Sequence, residues 1–438
     1  MNIRILGAGL AGCEAALYLA DRGFVVTLYE QKPLKFSPAH KNSNFAELVC
    51  SNSLKADRLD SASGLLKAEM KLLGSSLLPI AEECRVAAGG ALAVDRDLFA
   101  ERVTQKVRTH ANITVVEQEV TQIDEDEDML TLVATGPLTE GALAADIKRL
   151  TGVKELSFYD AAAPIVTADS IDMEKVFAAS RYGRGTADYL NCPFDKAGYE
   201  AFYEALRSAE RAELHAFDEG GVYEGCMPIE VMAQRGADTM RYGPLRPVGL
   251  TDPRTGHRPW ANVQLRAENA QGTLYNLVGF QTNLKFGEQK RVFSMIPGLE
   301  NAEFVRYGVM HRNTFLRSPD ILGRNYALQA EPRIRFAGQL TGVEGYMESA
   351  ASGMVAAIGL YKALRGETEP DFGGQTVLGA LERHVRTPSS DFQPMNANFG
   401  ILDALPMRVK GKRNRYAKLS ERALEALDQI IDQYELRN

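Results

Sequence analysis

Gly7-Ala8-Gly9-Leu10-Ala11-Gly12 follows an apolar run from Ile3 to Leu6 and opens a stretch of small and apolar residues; a second apolar run ends at Glu30. This order predicts a buried strand over Asn2 to Leu6, a helix over Ala11 to Arg22 and a second buried strand over Val25 to Glu30, a compact βαβ opening. Glycines spaced G-x-G-x-x-G at a strand-to-helix turn have a physical purpose. The first makes the turn, the second lets backbone approach a pyrophosphate, and the third lets the helix pack closely. The helix N-terminus offers free N–H groups and the positive end of its dipole to that anion. Glu30 closes the second strand, where a carboxylate accepts ribose hydroxyls. A plain glycine-rich turn requires neither strand, helix nor acid. All three together predict a dinucleotide site built from Gly7, Ala8, Gly9, Leu10, Ala11, Gly12 and Glu30.

Two distant segments favour FAD over NAD in that site. One is the apolar run ending in Ala134-Thr135-Gly136; the other is IRFAGQLTGVEGYMESAASG, Ile334 to Gly353, which reads as strand, Gly-rich turn and small-residue helix. The first is similar to the ATG turn of two-dinucleotide-fold flavoproteins. The second is similar to their C-terminal segment, which sets a helix N-terminus under the pyrimidine end of the flavin and stabilises negative charge on the reduced ring. Gly338, Gln339, Glu344 and Gly345 are the expected contacts there. No second G-x-G-x-x-G follows a strand, so NADH or NADPH, if used, is expected to visit the flavin transiently.

The chain has 438 residues, enough for two or three domains. From about Tyr182 to Asn325 it becomes rich in Arg, Tyr, Pro and Gly, with short extended pieces such as NVQLRAEN. The expected fold class is therefore α/β: an FAD-binding, Rossmann-like domain of the two-dinucleotide-fold flavoprotein type, in two parts at 1–184 and 329–438, around an inserted smaller α/β domain at 185–328 that takes substrate. Between Ile113 and Val133 two β-rich runs flank the acidic turn Asp124 to Asp128, as in a hairpin. The tail from Thr376 reads as helical, with an irregular stretch near Pro388 to Pro406.

Composition bounds the function. The apolar fraction is 45%, as in ordinary globular proteins, and no run approaches the roughly 18 apolar residues of a membrane span. Met1 leads directly into the first strand without a charged leader, so a cytoplasmic protein is expected. Five scattered cysteines with no CxxC pair predict free thiols and no metal site. A formal charge of −7 argues against blanket affinity for nucleic acid but not against a local basic face. Six basic residues and no acid lie between Arg408 and Lys418.

Cys13, Cys84 and Cys192 read as small buried apolar residues. Cys226 sits in the polar run EGCMPIE, Glu224 to Glu230, and Cys50 in ELVCSNS, Glu47 to Ser53. A thiolate at 226 could add to carbon 6 of a uracil and make carbon 5 an enolate nucleophile.

Long runs throughout the chain resemble the bacterial folate- and FAD-dependent tRNA uracil-5 methyltransferases. They include ELVCSNSLKAD (Glu47 to Asp57), FYDAAAPIV (Phe158 to Val166), GCMPIEVMAQRGADTMRYGPLRPVGL (Gly225 to Leu250), LVGFQTNLKFGEQKRVFSMIPGLENAEFVRYGVMHRNTF (Leu277 to Phe315) and FAGQLTGVEGYMESAASG (Phe336 to Gly353). The resemblance implies that 5,10-methylenetetrahydrofolate supplies a one-carbon unit, reduced FAD the electrons, and the T-loop uridine at tRNA position 54 the acceptor. It places the nucleophile on Cys226, an acid/base at carbon 5 on Cys50, and on His311 an imidazole stacked on the folate pterin. A tRNA partner held at its T-arm is implied, with no membrane and no obligate protein partner. Basic residues must grip the RNA backbone, and the candidates are the Arg408 to Lys418 run with Arg235, Arg241, Arg246, Arg254 and Arg258. The tail run reads equally well as a solvated helix face.

Other readings use the same residues. The wobble-uridine modifying flavoprotein of this fold carries a longer helical C-terminal region than this chain has. A close relative acts on 23S ribosomal RNA. An NAD(P)H:FAD oxidoreductase without an RNA role predicts a redox cysteine pair or a second nucleotide motif, and neither is present; a flavin-stabilised RNA-binding protein without catalysis would leave Cys226 dispensable.

Overall fold

The computed structural model describes residues 2–437 except 38, 124–125, 127, 153–154, 162, 184–185, 213–226, 309 and 391, with backbone alone for 155–161 and 310–312. Strand β1 (Asn2–Leu6), helix α1 (Leu10–Ala20) and strand β2 (Val26–Glu30) form the expected βαβ opening, with helix and second strand shifted by one or two residues. They belong to a six-stranded sheet ordered 327–328, 331–336, 129–133, β1, β2, 113–117. All its pairs are parallel except the short edge strand 327–328. In β1 Ile3, Arg4, Ile5 and Leu6 are all buried, as a parallel strand covered on both faces requires.

The predicted hairpin between Ile113 and Val133 does not form. Residues 113–117 pair parallel with β2 and residues 129–133 pair parallel with β1, so two strands lie between them. The reason is burial: Leu130 to Val133 are buried on both faces, which suits a central parallel position better than a half-solvated ribbon.

A second six-stranded sheet is antiparallel throughout, ordered 177–178, 189–194, 261–267, 274–277, 165–167, 304–306. It has its own core, in which Phe194, Phe202, Phe280 and Phe293 pack ring against ring. A two-stranded antiparallel ribbon, 155–161 with 310–316, carries the chain out of the first sheet and back. A separate small three-stranded sheet joins 53–56, 85–86 and 91–94. The small-residue helix runs from Tyr346 to Leu364, and the tail adds helices Val377–Arg386 and Lys412–Gln433. Among the described residues no helix is long and apolar enough to cross a membrane.

Candidate functional site

The turn after β1 and the N-terminus of α1 open into a cleft lined by Gly7, Ala8, Gly9, Leu10 and Ala11. Gly7 has φ +96°, and a side chain there would meet the Ala134 carbonyl oxygen at 2.6 Å; only glycine combines that conformation with that clearance. A Cβ on Gly9 would meet no protein atom within 4 Å, so this backbone borders open space. Gly12 does not line the cleft; it packs, its absent Cβ lying 1.9 Å from the Gly7 carbonyl oxygen. No side chain caps α1, and its first turn holds no acid, so its N–H groups are left for a ligand. Glu30 lines the same cleft and is locked in place, accepting from the Ala8 N–H at 2.8 Å and the Lys32 N–H at 3.0 Å.

A second uncapped helix end faces this space. Gly345, at φ +123°, precedes Tyr346, the first residue of the long helix, and no side chain accepts from its first turn. Gly338, Gln339, Glu344 and Gly345 all line the cleft, and the Gln339 amide donates to the Glu344 carboxylate across the turn. The two helices are pressed together: a Cβ on Gly353 would lie 2.2 Å from the Ala11 carbonyl oxygen. One cleft thus presents two uncapped helix ends, the second with Glu348 in its first turn paired to Lys55 at 2.9 Å, and an acid at a strand end. These donors fit an extended dinucleotide with its pyrophosphate at α1 and an electron-accepting ring at Tyr346.

Cys50 is half-buried and lines the cleft. Its loop is held residue by residue. Arg96 donates to the Leu48 carbonyl at 3.1 Å, and Arg306 donates to the Val49 carbonyl. The Cys50 and Ser51 N–H groups donate to the Tyr346 hydroxyl at 2.7 and 3.1 Å. Asn52 donates to the Ala267 carbonyl at 2.9 Å and accepts from Arg266 at 2.9 Å. Burial, with Cys50 adding to it, pushes the Tyr346 hydroxyl far above the usual phenol range, so it stays neutral and able to accept. Arg96 is tied to Glu268, whereas burial first and the Arg96 charge second lower the affinity of Arg306 for its proton. Burial pushes the thiols of Cys13, Cys84 and Cys192 up, that of Cys84 to about 11, as expected of inert packing residues.

Tyr346, Arg96, Arg306 and Glu268 were not singled out from the sequence. Tyr346 alone had a signal there, its place directly after Gly345. Tyr346→Phe keeps the ring but strands two N–H donors, each costing about 1–3 kcal/mol if left unsatisfied. The Cys50 loop is expected to loosen, read as a several-fold faster alkylation of Cys50 in folded protein; an unchanged rate would remove Tyr346 from this role.

Cys226 lies outside the described residues. The described chain on either side of its segment is anchored to one place: the Ala212 N–H donates to the Asn283 carbonyl and the Ile229 N–H to the Gln281 carbonyl, both at 2.8 Å, and Gln281 lines the cleft. Glu230 is a brace, buried and accepting from Thr282 and the Asn283 N–H at 2.8 Å each, with burial raising its pKa. The backbone of His311 pairs with Asp160 in the ribbon, two positions before Asn313, which lines the cleft.

The basic candidates divide. Arg254 is engaged with both oxygens of Asp252, and Arg241 with Asp238 and the Trp260 ring, so these two have intramolecular work. In the tail, Lys418 pairs with Glu421, while Arg408, Lys410, Lys412, Arg413 and Arg415 are in no ion pair among the described residues. Among those residues no cluster of metal-ligating side chains occurs.

The profile of the family described as "Glucose inhibited division protein A" matches residues 2–368. A protein of Acetivibrio thermocellus named "Methylenetetrahydrofolate--tRNA-(uracil-5-)-methyltransferase TrmFO" is 54% identical over 433 residues, covering 99% of both chains. A Bacillus subtilis protein of the same name is 54% identical over 430 residues, 98% of both. The solved structure of Aquifex aeolicus GidA shares the fold, with a TM-score of 0.71 at 15% identity over 99% of this chain and 75% of that one.

Proposed function

The chain belongs to the glucose inhibited division protein A family and, within it, to the methylenetetrahydrofolate–tRNA-(uracil-5-)-methyltransferases, and on that premise we propose that it methylates carbon 5 of the T-loop uridine of tRNA. The observation that carries the reading is the convergence in one cleft of the nucleotide turn, the uncapped helix at Tyr346 and the thiol of Cys50. FAD is the dinucleotide that Gly7 to Ala11, Glu30, Gly338, Gln339, Glu344 and Gly345 would hold, with Gly12 packing α1 against the turn. Bound there and reduced by NADH or NADPH, it would supply the two electrons that bring the folate-derived carbon to the level of a methyl group.

The residues of the chain handle the uridine. The Cys226 thiolate forms a bond to carbon 6, and the displaced electron pair makes carbon 5 nucleophilic toward the one-carbon unit of methylenetetrahydrofolate. Once carbon 5 is bonded to the one-carbon unit, Cys50 takes the carbon 5 proton and the bond from that carbon to the folate nitrogen breaks, its electron pair staying on nitrogen. Two-electron reduction of the exocyclic methylene so formed, for which reduced FAD would be the source, restores the ring double bond and expels the Cys226 sulfur. His311 is the stacking partner of the pterin, which agrees with its place on the strand that carries Asn313 into the cleft. The five tail cations that are in no ion pair among the described residues, two of them resting on the Tyr416 ring, supply phosphate contacts on the RNA. The reaction belongs in the cytoplasm, where unmodified tRNA is found.

Incubation with an unmodified tRNA transcript, NADH or NADPH, and folate labelled in its methylene carbon tests this reading. Labelled 5-methyluridine in the T-loop is the expected product. Label in ribosomal RNA but not in tRNA would move the acceptor, and label in neither would end the methyltransferase reading.

A further inference from the structure

Phe286, Tyr307 and Phe304 form a column of rings: Phe286 stacks on Tyr307 at 4.9 Å between centroids and 17° between planes, and Tyr307 on Phe304 at 5.3 Å and 12°. The inner two rings are partly buried, whereas Phe286, at the open end, is 55% exposed. The column is rigid. The buried Gln289 amide donates to the Leu284 carbonyl at 2.7 Å and the Gly308 carbonyl at 2.8 Å, and accepts from the Gly308 N–H at 2.8 Å. The helix Phe286–Phe293 therefore cannot slide past Tyr307 without breaking bonds of a buried amide.

Placement ties the column to the cleft. Gln281, five residues before Phe286, and Asn313, six after Tyr307, both line it, and Asn283 with Leu284 anchors the start of the segment that carries Cys226. The same helix exposes Lys290, which is in no ion pair among the described residues, whereas Arg291 is engaged with both oxygens of Glu288. A flat, preorganised π-face beside unpaired positive charge complements a nucleobase with its phosphate.

We propose that Phe286 is a stacking platform for an unpaired base of the RNA substrate, next to the uridine that enters the cleft. This rests on the reading of the cleft as an RNA-methylating site. RNA loops, unlike duplexes, offer unstacked bases to aromatic side chains. Such a base, seated on the end of the column, fixes the register of the loop so that its neighbour reaches the cleft that Cys50 lines.

The test uses the full-length holoenzyme and two RNAs, an unmodified T-arm hairpin and a blunt duplex of equal length. Phe286→Ala is expected to weaken hairpin binding roughly 10-fold, the scale of one lost base stack, and to leave duplex binding unchanged. Phe286→Tyr is expected to bind as wild type does, whereas Phe286→Leu, apolar but without a π-face, does not. The salt dependence of hairpin binding should keep its slope, because no phosphate contact is removed. In methyl transfer KM for RNA rises and kcat holds. Equal hairpin binding by wild type and Phe286→Ala overturns the platform, as does full recovery by Phe286→Leu, which would mark an apolar contact suited to a protein. A wild-type protein that binds neither RNA would instead bring down the reading of the cleft, and the platform with it.

Discussion

Gly12→Ala is expected to give a colourless protein, with a flavin-to-protein ratio at least tenfold below that of the unaltered chain. The new methyl carbon would sit 1.9 Å from the Gly7 carbonyl oxygen and 3.1 Å from its carbon, both backbone atoms that no rotamer change can move. Relief would require α1 to back away from the turn. Behind it, however, Ala11 is already in contact with the helix at Gly353, where no Cβ fits either, and every residue of α1 from Ala11 to Ala20 is buried. Overpacking of this kind costs about 3 kcal/mol or more when backbone must shift. The shift falls on the anion-binding end of the helix. Gly9→Ala is the informative contrast, since its Cβ meets no protein atom within 4 Å. That variant should melt like the unaltered apoprotein yet hold FAD weakly, because the methyl group enters ligand space rather than the core. Calorimetry with the absorbance spectrum separates the two. Stoichiometric flavin in Gly12→Ala would show that this turn is not the pyrophosphate seat.

How far the sequence could be read follows from how local each feature is. The βαβ opening was legible because each of its signals, apolar runs, glycine spacing and a terminal acid, lies within thirty residues, and the strand, helix and strand appear within two residues of the expected limits. The segment 113–133 departs from the expected hairpin for the opposite reason. Apolar content announces a strand but not its partner, and both partners here are parallel strands near the N-terminus. That Arg241 and Arg254 are engaged within the chain was not legible, because Asp238, Trp260 and Asp252 become their partners only through particular side-chain geometry. The support of Cys50 was beyond reach altogether. Its loop is held by Arg96, Arg306 and Tyr346, and Glu268 in turn holds Arg96, so the thiol's surroundings are assembled from four separate parts of the chain. Cys50 itself could be named only by resemblance.

The second large effect concerns the two thiols. Cys226→Ala and Cys50→Ala are each expected to lower methyl transfer by at least roughly 10³-fold, since groups that act as one catalytic unit fail together. Both proteins should remain yellow: neither thiol is among the groups proposed to hold FAD, and the Cys50 loop is held through its backbone. Activity alone therefore does not say which thiol does what. RNA carrying 5-fluorouridine at the target does. Fluorine cannot leave carbon 5 as a cation, so a sulfur that has added to carbon 6 cannot be expelled after the one-carbon unit arrives, and a denaturation-resistant protein–RNA adduct accumulates. If Cys226 is the nucleophile, Cys226→Ala forms none, while Cys50→Ala forms it as the unaltered enzyme does. The geometry around Cys50 favours this assignment. A group that takes a proton benefits from being fixed at hydrogen-bond distance, and the loop from Leu48 to Asn52 is pinned at every residue. A nucleophile must instead close on carbon 6 and withdraw again. Loss of the adduct in Cys50→Ala with its retention in Cys226→Ala would exchange the two roles and make the pinned loop the carrier of the covalent bond.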